Sequence, residues 1–347
     1  MSSSSRRQKS WSPLSLRSSL LSTLLPISAA LSHLRADLYN APAIPANATL
    51  PDGSVGLWQP TVVTLISGDS EAVLIDTLFT IDQGVALGDW IEATIPDKTL
   101  TAIYVTHGHG DHWFNAAYLS ARFPSARVVS TRKSVDHMAT QLTPEFRSFW
   151  NELFPGQISG SSFRVAAQAL ADDDVDGRHP NPNPNPNPNP NPNPKFTMEG
   201  HAFEALDVGH SDTDETTFLY IPDLKMAVAG DIVYNDVHMW MAESPAQSQR
   251  DAWLRSLDKV AEVGPEIVVG SHHRPGGVDG AFNIEASKEY IRTFSRLRRE
   301  SRSAEELYDK VLEAYPNRIG KLVLWLGCQA QFAPEDGSSE HAKSDEL

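Results

Sequence analysis

Short apolar runs alternate with amphipathic stretches through most of the chain. Runs rich in β-branched and aromatic residues predict strands at Val62–Ile66, Ala72–Ile75, Ala102–Thr106, Arg127–Ser130, Phe203–Val208, Thr217–Ile221, Met226–Ala229 and Ile267–Gly270. Helical periodicity, bounded by proline and glycine, predicts helices at Ile81–Ile95, Trp113–Phe123, Lys133–Leu142, Glu145–Phe154, Ser248–Val263, Ala286–Arg298 and Ala304–Ala314. We therefore predict a layered α/β domain over residues 38–333, in which helices cover β-sheets.

The composition is that of a folded, acidic chain. Its 347 residues are 40% hydrophobic and 21% charged, with a formal net charge of −15 at pH 7. No run approaches the roughly 18 apolar residues that a membrane span needs, and the negative charge disfavours binding to nucleic acid. The single cysteine, Cys328, excludes an intrachain disulfide and a multi-cysteine metal site. We expect neither membrane nor nucleic-acid binding, and the oligomeric state stays open.

The two ends of the chain differ in composition from the rest. Residues 1–36 are serine-rich and carry five basic residues and no acidic one. We predict that residues 1–37 are a disordered leader or a targeting segment and that residues 334–347 are an acidic tail. A cytoplasmic location is favoured, with a mitochondrial presequence or a signal peptide as the alternatives. The terminal sequence Lys343-Ser344-Asp345-Glu346-Leu347 is similar to an ER-retention signal.

A low-complexity segment is inserted in the domain at residues 172–195. It begins with an Asp-rich stretch and continues as a strict Asn-Pro alternation from Asn181 to Pro194. Proline at every second position removes N–H donors and fixes φ, which excludes helix and sheet. We predict an extended, solvated loop without a role of its own. The alternative is that the repeat binds an aromatic groove of a partner.

The densest group of chemically active residues lies at Thr106–His112, directly after a predicted strand, and reads Thr-His-Gly-His-Gly-Asp-His. Side chains two apart in an extended segment lie on the same side, so His107 and His109 can bind one metal ion. Asp111 and His112 come at the start of the next helix, where they can face a second ion. Imidazole and carboxylate ligands without thiolate suit zinc, and iron and manganese accept them.

Further candidate ligands stand just past the ends of other predicted strands. They are Asp76, His210, Asp231 and His272. Open α/β sheets place their ligand sites at the carboxyl ends of strands. These residues and the histidine motif are therefore expected to converge as a dinuclear site, in which one aspartate can bridge the ions.

This ordered set of residues resembles the metallo-β-lactamase-fold hydrolases. The family elements follow one another within about residues 60–275, as Asp76, His107-Gly108-His109-Gly110-Asp111-His112, Gly209-His210, Gly230-Asp231 and Ser271-His272. The resemblance implies an αββα sandwich and a structural role for Asp76 in holding the histidine loop. It also implies that the metal ligands are His107, His109 and His210 for one ion, Asp111, His112 and His272 for the other, and Asp231 as the bridge.

Two details of this resemblance bear on the site. No cysteine occupies a ligand position, which is similar to the hydrolase branches that use only His and Asp. The family element also places a ligand at His272 rather than at His273. Since adjacent side chains of an extended segment point to opposite faces, only one of the two is expected to reach the metals.

Residues near the bridging aspartate are candidates for contact with substrate. We expect Asp111 to orient the nucleophile and to pass a proton to the leaving group. Tyr234 and His238 are candidates to polarise a substrate carbonyl, with ordinary packing as the alternative. Four apolar residues flank the candidate site in sequence and can line an apolar pocket, with packing in the core favoured for any one of them. They are Trp113, Phe114, Trp240 and Met241.

The resemblance implies a metal-dependent hydrolase with two zinc ions, iron or manganese being the alternatives. Two such ions lower the pKa of a bound water, and the resulting hydroxide attacks a carbonyl carbon. We favour the opening of a small cyclic ester or amide, as in detoxification or secondary metabolism, and hence a small-molecule partner. Three alternatives stay open: a glyoxalase-II-like thioester hydrolase, a mono-iron persulfide dioxygenase-like oxidoreductase, and a non-enzymatic binding module.

Overall fold

The computed structural model describes residues 33–164, 166–170 and 194–333. The predicted acidic tail, the Asn-Pro repeat up to residue 193 and residues 1–32 of the predicted leader lie outside this part of the chain. Two of the predicted segments overlap strands at their ends. The predicted leader, residues 1–37, overlaps the strand that begins at Arg35, and the predicted loop, residues 172–195, overlaps the strand that begins at Lys195.

Strands and helices alternate along the described residues. The strands are β1 (Arg35–Ala41), β2 (Ile44–Thr49), β3 (Val55–Trp58), β4 (Thr61–Ser67), β5 (Glu71–Ile75), β6 (Thr99–Tyr104), β7 (Arg127–Ser130), β8 (Gln168–Ala169), β9 (Lys195–Met198), β10 (His201–Gly209), β11 (Thr216–Ile221), β12 (Met226–Val228), β13 (Tyr234–Asn235), β14 (Ile267–Val269) and β15 (His272–His273). The helices are α1 (Ile81–Thr94), α2 (Gly110–Trp113), α3 (Ala116–Arg122), α4 (Arg132–Thr140), α5 (Pro144–Leu153), α6 (Gln247–Glu262), α7 (Phe282–Arg299), α8 (Ala304–Ala314) and α9 (Lys321–Ala330). Among these helices, none is long and apolar enough for a membrane crossing.

The first sheet has the strand order β1-β4-β5-β6-β7-β8. Its first three strands are antiparallel neighbours, and the strands from β5 to β8 are parallel. Parallel neighbours need long crossover connections, which α1 provides between β5 and β6, and α2 and α3 between β6 and β7. Every residue of β4 is buried, as expected for a strand covered on both faces.

The second sheet has the order β14-β12-β11-β10-β9. It is antiparallel from β9 to β12, and β14 adds parallel to β12 through a connection that contains α6. Two short pairs, β2 with β3 and β13 with β15, complete the strand pairing.

Three buried apolar clusters show how the layers pack. Val73 of β5 and Phe203 of β10 belong to one cluster, which lies between the two sheets. The neighbouring residue Leu74 points to the other face of the first sheet and joins Leu87 of α1 in a second cluster. A third cluster joins the second sheet to Trp253 of α6 and to α7. The order of layers is helix, sheet, sheet, helix, so the predicted αββα sandwich is confirmed.

The predicted elements correspond closely to those observed, with informative exceptions. Each predicted strand is present, with ends shifted by at most three residues. The predicted helix Trp113–Phe123 begins three residues later, as α3 at Ala116, and Trp113 is the last residue of α2. Between the two helices the N–H of Asn115 bonds the carbonyl of Leu78 (3.2 Å) instead of continuing a helix. The sequence did not predict the helix α9 or seven of the strands, namely β1, β2, β3, β8, β9, β13 and β15.

Candidate metal centre

Polar side chains gather where strands of both sheets end. Asp76 follows β5, the histidine motif follows β6, Asp212 follows β10, and Asp231 follows β12. The backbone of Gly230 has φ +53°, and a Cβ there would lie 2.9 Å from Thr106 Oγ1. Glycine at this position therefore allows the Asp231 loop to lie against the histidine loop.

The first group of potential ligands consists of His107, His109 and Asp212. Asp212 Oδ2 lies 3.3 Å from His107 Nε2 and 2.8 Å from His109 Nδ1. All three side chains are buried, and the carboxylate has no solvent exposure. A buried carboxylate is costly unless a cation or several donors compensate it.

The second group consists of Asp111, His112 and His272, and a third set of atoms from His107, His112 and Asp231 connects the two groups. His272 Nε2 lies 3.3 Å from both Asp111 Oδ2 and Asp231 Oδ2. His112 Nε2 lies 3.4 Å from Asp231 Oδ1. Asp231 therefore has Oδ1 near His112 and Oδ2 near His272, and through the set with His107 it connects the first group to the second.

The ring orientations of His112 and His272 are set by acceptors outside the groups. His112 Nδ1 donates to Asp76 Oδ2 (2.9 Å), and His272 Nδ1 donates to the backbone carbonyl of Pro60 (2.9 Å). A carboxylate or a carbonyl offers only lone pairs, so Nδ1 carries the proton in both rings. The Nε2 lone pair of each ring therefore faces the centre, which is the arrangement that metal-binding histidines show.

The other two histidines are held in the same way. Thr106 Oγ1 donates to Asp76 and accepts from His107 Nδ1 (2.9 Å), so His107 presents Nε2 to the centre. His109 Nε2 donates to Glu243 Oε1 (2.7 Å), so this ring presents Nδ1. Asp76 itself has φ +65° and accepts the Thr106 N–H (2.9 Å), which ties the histidine loop to the end of β5.

The donor set fits a metal cation. Within the described chain, four buried atoms of these groups have no hydrogen-bond partner: His107 Nε2, His112 Nε2, Asp212 Oδ2 and Asp231 Oδ1. Buried polar atoms are nearly always paired, yet these four are lone-pair atoms that cannot hydrogen-bond one another without an added proton. Nitrogen and oxygen donors of this kind are ligands for zinc, iron or manganese.

The electrostatics of the centre also favour a positive charge. Burial alone lowers the pKa of His112, but the carboxylates of Asp111, Asp231 and Asp76 raise it to about 9. Burial alone raises the pKa of Asp111, but His112 and His272 hold it below its ordinary value. The carboxylates therefore stabilise a cation at this place, whether a proton or a metal ion.

One predicted ligand, His210, lies outside these groups. Its Nδ1 is 2.6 Å from Asp214 Oδ1 and its Nε2 is 2.8 Å from Ser244 Oγ. The strand is irregular just before it, where the register of β10 shifts between Asp207 and Gly209. Two residues later, Asp212 brings its carboxylate to His107 and His109, where His210 was expected.

The predicted substrate-contacting residues Tyr234 and His238 are both completely buried. The Tyr234 hydroxyl donates to Asp231 Oδ2 (2.6 Å), so it orients that aspartate. His238 Nδ1 lies 3.1 Å from the Tyr290 hydroxyl, and burial lowers the pKa of His238 to about 3. Neither residue lines the cleft that opens onto the centre.

That cleft reaches Asp111, Asp231 and His272. Its apolar wall is formed by Trp58, Phe146, Phe149, Trp150, Trp240 and Val323. Of the aromatic and methionine residues predicted to line a pocket, Trp240 does so. The core contains the others, namely Trp113, Phe114 and Met241.

Sequence reasoning missed Asp212, Glu243 and the aromatic residues of α5. Asp212 stands in a Ser-Asp-Thr-Asp run that reads as an ordinary polar turn. Glu243 lies more than a hundred residues from its partner His109, and no spacing rule relates the two. The only available signal on α5 was the i, i+3, i+4 spacing of Phe146, Phe149 and Trp150, which places three aromatic rings on one helix face.

Comparison with known proteins agrees with this geometry. The model of the metallo-beta-lactamase superfamily matches residues 56–272. The chain belongs to the metallo-beta-lactamase superfamily. A metallo-beta-lactamase family protein from Thermus thermophilus has 17% identity and a TM-score of 0.51, covering 85% of this chain and 91% of that chain. TMB-1 has 14% identity and a TM-score of 0.50, covering 76% of this chain and 98% of that chain.

The structural similarity supports the fold of this metallo-beta-lactamase superfamily member. Because the sequence identities are low, the similarity does not indicate its substrate. Comparison with curated proteins gave no match.

Proposed function

We propose that this superfamily member is a hydrolase that holds two zinc ions and opens a small cyclic ester or amide. The observation that carries the proposal is the convergence of oriented lone pairs, one from each of four histidines, on a space bordered by buried carboxylates. A structural zinc site needs four ligands, whereas here seven side chains surround the centre: His107, His109, Asp111, His112, Asp212, Asp231 and His272.

Zinc ions bound in such a site supply a Lewis acid for a carbonyl oxygen and an activated water. The side chains supply position and proton transfer. Asp111 lines the cleft, and its Oδ2 accepts a hydrogen bond from Trp58 Nε1 (3.2 Å). This contact fixes the carboxylate beside the reacting groups, where we assign it to orient the nucleophile and to carry its proton to the leaving group.

The surrounding residues keep the reaction in one geometry. Tyr234 holds Asp231 through a hydrogen bond of 2.6 Å, and Asp76 and the Pro60 carbonyl hold the rings of His112 and His272. Precise support of ligands in this way raises metal affinity and limits reorganisation during the reaction. The aromatic wall of the cleft restricts the access of bulk water.

The test combines metal analysis with a substrate screen. The full chain is purified, its metals are measured by elemental analysis, and turnover is assayed on lactones, lactams, thioesters and phosphodiesters. The proposal expects about two zinc ions per chain and hydrolysis of a lactone or lactam. One iron per chain with consumption of oxygen, or turnover restricted to an acyl-glutathione thioester, would replace it with the oxygenase or the thioesterase alternative.

A further inference from the structure

The cleft beside the metal centre has a wall made almost entirely of aromatic rings. The ring centroids of Trp58 and Trp150 are 5.4 Å apart, and those of Trp58 and Trp240 are 6.2 Å apart. Phe146 and Phe149 of α5 are half-buried and extend the wall toward solvent. Such a wall pairs with a flat ring by offset or edge-to-face contact, in addition to the burial of apolar area.

The charges of the cleft are one-sided. Among the described residues that line it there is no lysine or arginine. The carboxylates of Asp111 and Asp231 would be compensated by the metal ions, so Glu243 is the carboxylate that adds negative charge to the wall. A carboxylate or phosphate on the substrate would lie against this wall without a cationic partner, and burial of an unpaired charge is costly. The wall therefore suits an uncharged group and disfavours an anionic one.

Two buried amides supply polar contacts without charge. Gln59 and Gln141 line the cleft and are 3% and 1% exposed. Within the part of the chain that the structure describes, neither Oε1 has a hydrogen-bond partner. A buried acceptor left unpaired is destabilising, so a neutral polar donor of a bound molecule that reaches either oxygen would gain a hydrogen bond there.

We propose that the cleft selects uncharged substrates in which the ester or amide is attached to an aromatic ring, and that it rejects their carboxylated counterparts. The reaction in this inference rests on the proposed hydrolase function. The selectivity rests on the aromatic wall, the charges of the cleft and the two amides. The ring lies against Trp240, Phe146 and Phe149, the half-buried part of the wall, and a neutral polar substituent bonds Gln59 or Gln141.

The test uses matched ligands and two kinds of measurement. For the zinc-loaded full chain, kcat/KM is measured for dihydrocoumarin, for the aliphatic δ-valerolactone, and for dihydrocoumarin carrying either a carboxylate or its methyl ester. Each value is divided by the rate constant for hydrolysis by hydroxide, which removes the difference in intrinsic reactivity. Binding of chroman and chroman carboxylate, which contain no scissile bond, is measured by quenching of tryptophan fluorescence.

The inference expects the corrected kcat/KM of dihydrocoumarin to exceed that of δ-valerolactone by about threefold to tenfold. The methyl ester should be turned over at least about tenfold faster than the carboxylate, and chroman should bind more tightly than chroman carboxylate. The substitution Phe149→Leu should reduce the aromatic preference with the metal content unchanged. The matched control Phe282→Leu, at a phenylalanine that is 60% exposed and lies outside the cleft, should leave the preference intact.

Two failures are distinguishable. If no ester, lactone, amide or lactam is hydrolysed but chroman binds and chroman carboxylate does not, the proposed function is wrong and the selectivity of the cleft stands. If lactones are hydrolysed with equal corrected rates for aromatic and aliphatic rings, or if the carboxylates are preferred in turnover or binding, the inference is overturned while the hydrolase function stands. Absence of binding by both chromans also overturns it.

Discussion

At the scale of single residues, the position of a side chain relative to its strand decides whether it reaches the centre. His272 and His273 are neighbours in β15, yet only His272 faces Asp111 and Asp231. His273 instead pairs with Asp279 through Nδ1 (3.0 Å) and with Asn40 through Nε2. The two histidines therefore form a natural test and control.

We expect His272→Ala to remove a ligand, lower the metal content by about one ion per chain and reduce kcat/KM on the order of a hundredfold or more. The change His273→Ala should keep the metal content and have a mild effect on turnover, since this ring lies outside the metal groups. Elemental analysis and steady-state kinetics on both variants check this. Loss of a metal in His273→Ala with both ions kept in His272→Ala would show that the assignment is off by one residue.

Glu243 is the second residue-scale prediction. Its Oε1 accepts from His109 Nε2 and its Oε2 accepts from Thr213 Oγ1, so it fixes the ring whose Nδ1 faces Asp212. Glu243→Ala should weaken metal affinity by about 10–100-fold, and Glu243→Gln, which keeps an acceptor, should weaken it less. Competition with a zinc chelator measures the affinities. Glu262→Ala, at an exposed glutamate of α6, is the control; equal affinities for all variants would exclude a positioning role for Glu243.

These residues also show what a sequence can and cannot predict about a site. His107, His109, Asp111 and His112 were predictable because a single extended segment and the following turn bring them together locally. Asp212 was not, because its approach depends on how β10 ends and on which of several polar residues turns inward. Contacts between segments far apart in sequence follow from the packing of whole elements.

At the scale of elements, the apolar pattern identified the central strands and missed the marginal ones. The residues of β4 are all buried, and its apolar residues Val62, Val63, Leu65 and Ile66, interrupted only by Thr64, are visible in the sequence. In β1 and β2 most residues are half-buried or exposed and include Asp37, Asn40 and Asn47, so no apolar alternation marks them. The helix α9 is apolar on most sides, which obscures the helical period that reveals an amphipathic helix.

The Asn-Pro repeat gives an element-scale prediction from composition alone. Its residues carry no large apolar side chains, so we expect them to contribute little to core stability. The Pro194 carbonyl accepts the N–H of Ala205 (2.8 Å), so a deletion should spare it. Removal of residues 181–192, six of the Asn-Pro units, should change the midpoint of thermal unfolding and kcat/KM only slightly. A loss of more than tenfold in turnover with unchanged metal content would assign the repeat a part in shaping the cleft.

At the scale of the whole molecule, the candidate metal ligands come from both sheets. His107, Asp111 and His112 follow a strand of the first sheet, whereas Asp212 and Asp231 follow strands of the second. A cation bound by both sets stabilises the folded chain by mass action, because the unfolded chain does not preserve the site.

We therefore expect removal of metal to lower thermal stability. At a metal concentration about a hundred times the dissociation constant, binding contributes about 2.7 kcal/mol, which corresponds to roughly 4–5 °C in the unfolding midpoint of a domain this size. Thermal unfolding followed by circular dichroism, with and without chelator, measures the shift. His272→Ala should show a smaller shift than the unaltered chain; an equal shift would mean that His272 does not hold a stabilising ion.

The aromatic wall has a consequence for how such a protein changes over generations. Phe146, Phe149 and Trp150 stand on α5, a helix that begins at Pro144 with Thr143 as its cap and carries none of the metal-facing side chains. Substitutions at the half-buried Phe146 and Phe149 can therefore change the wall without removing a ligand, whereas Trp150 packs in the core against Trp58, which bonds Asp111. Sequence changes confined to α5 would therefore alter which substrates fit the cleft, while the metal-facing residues and the proposed reaction stay the same.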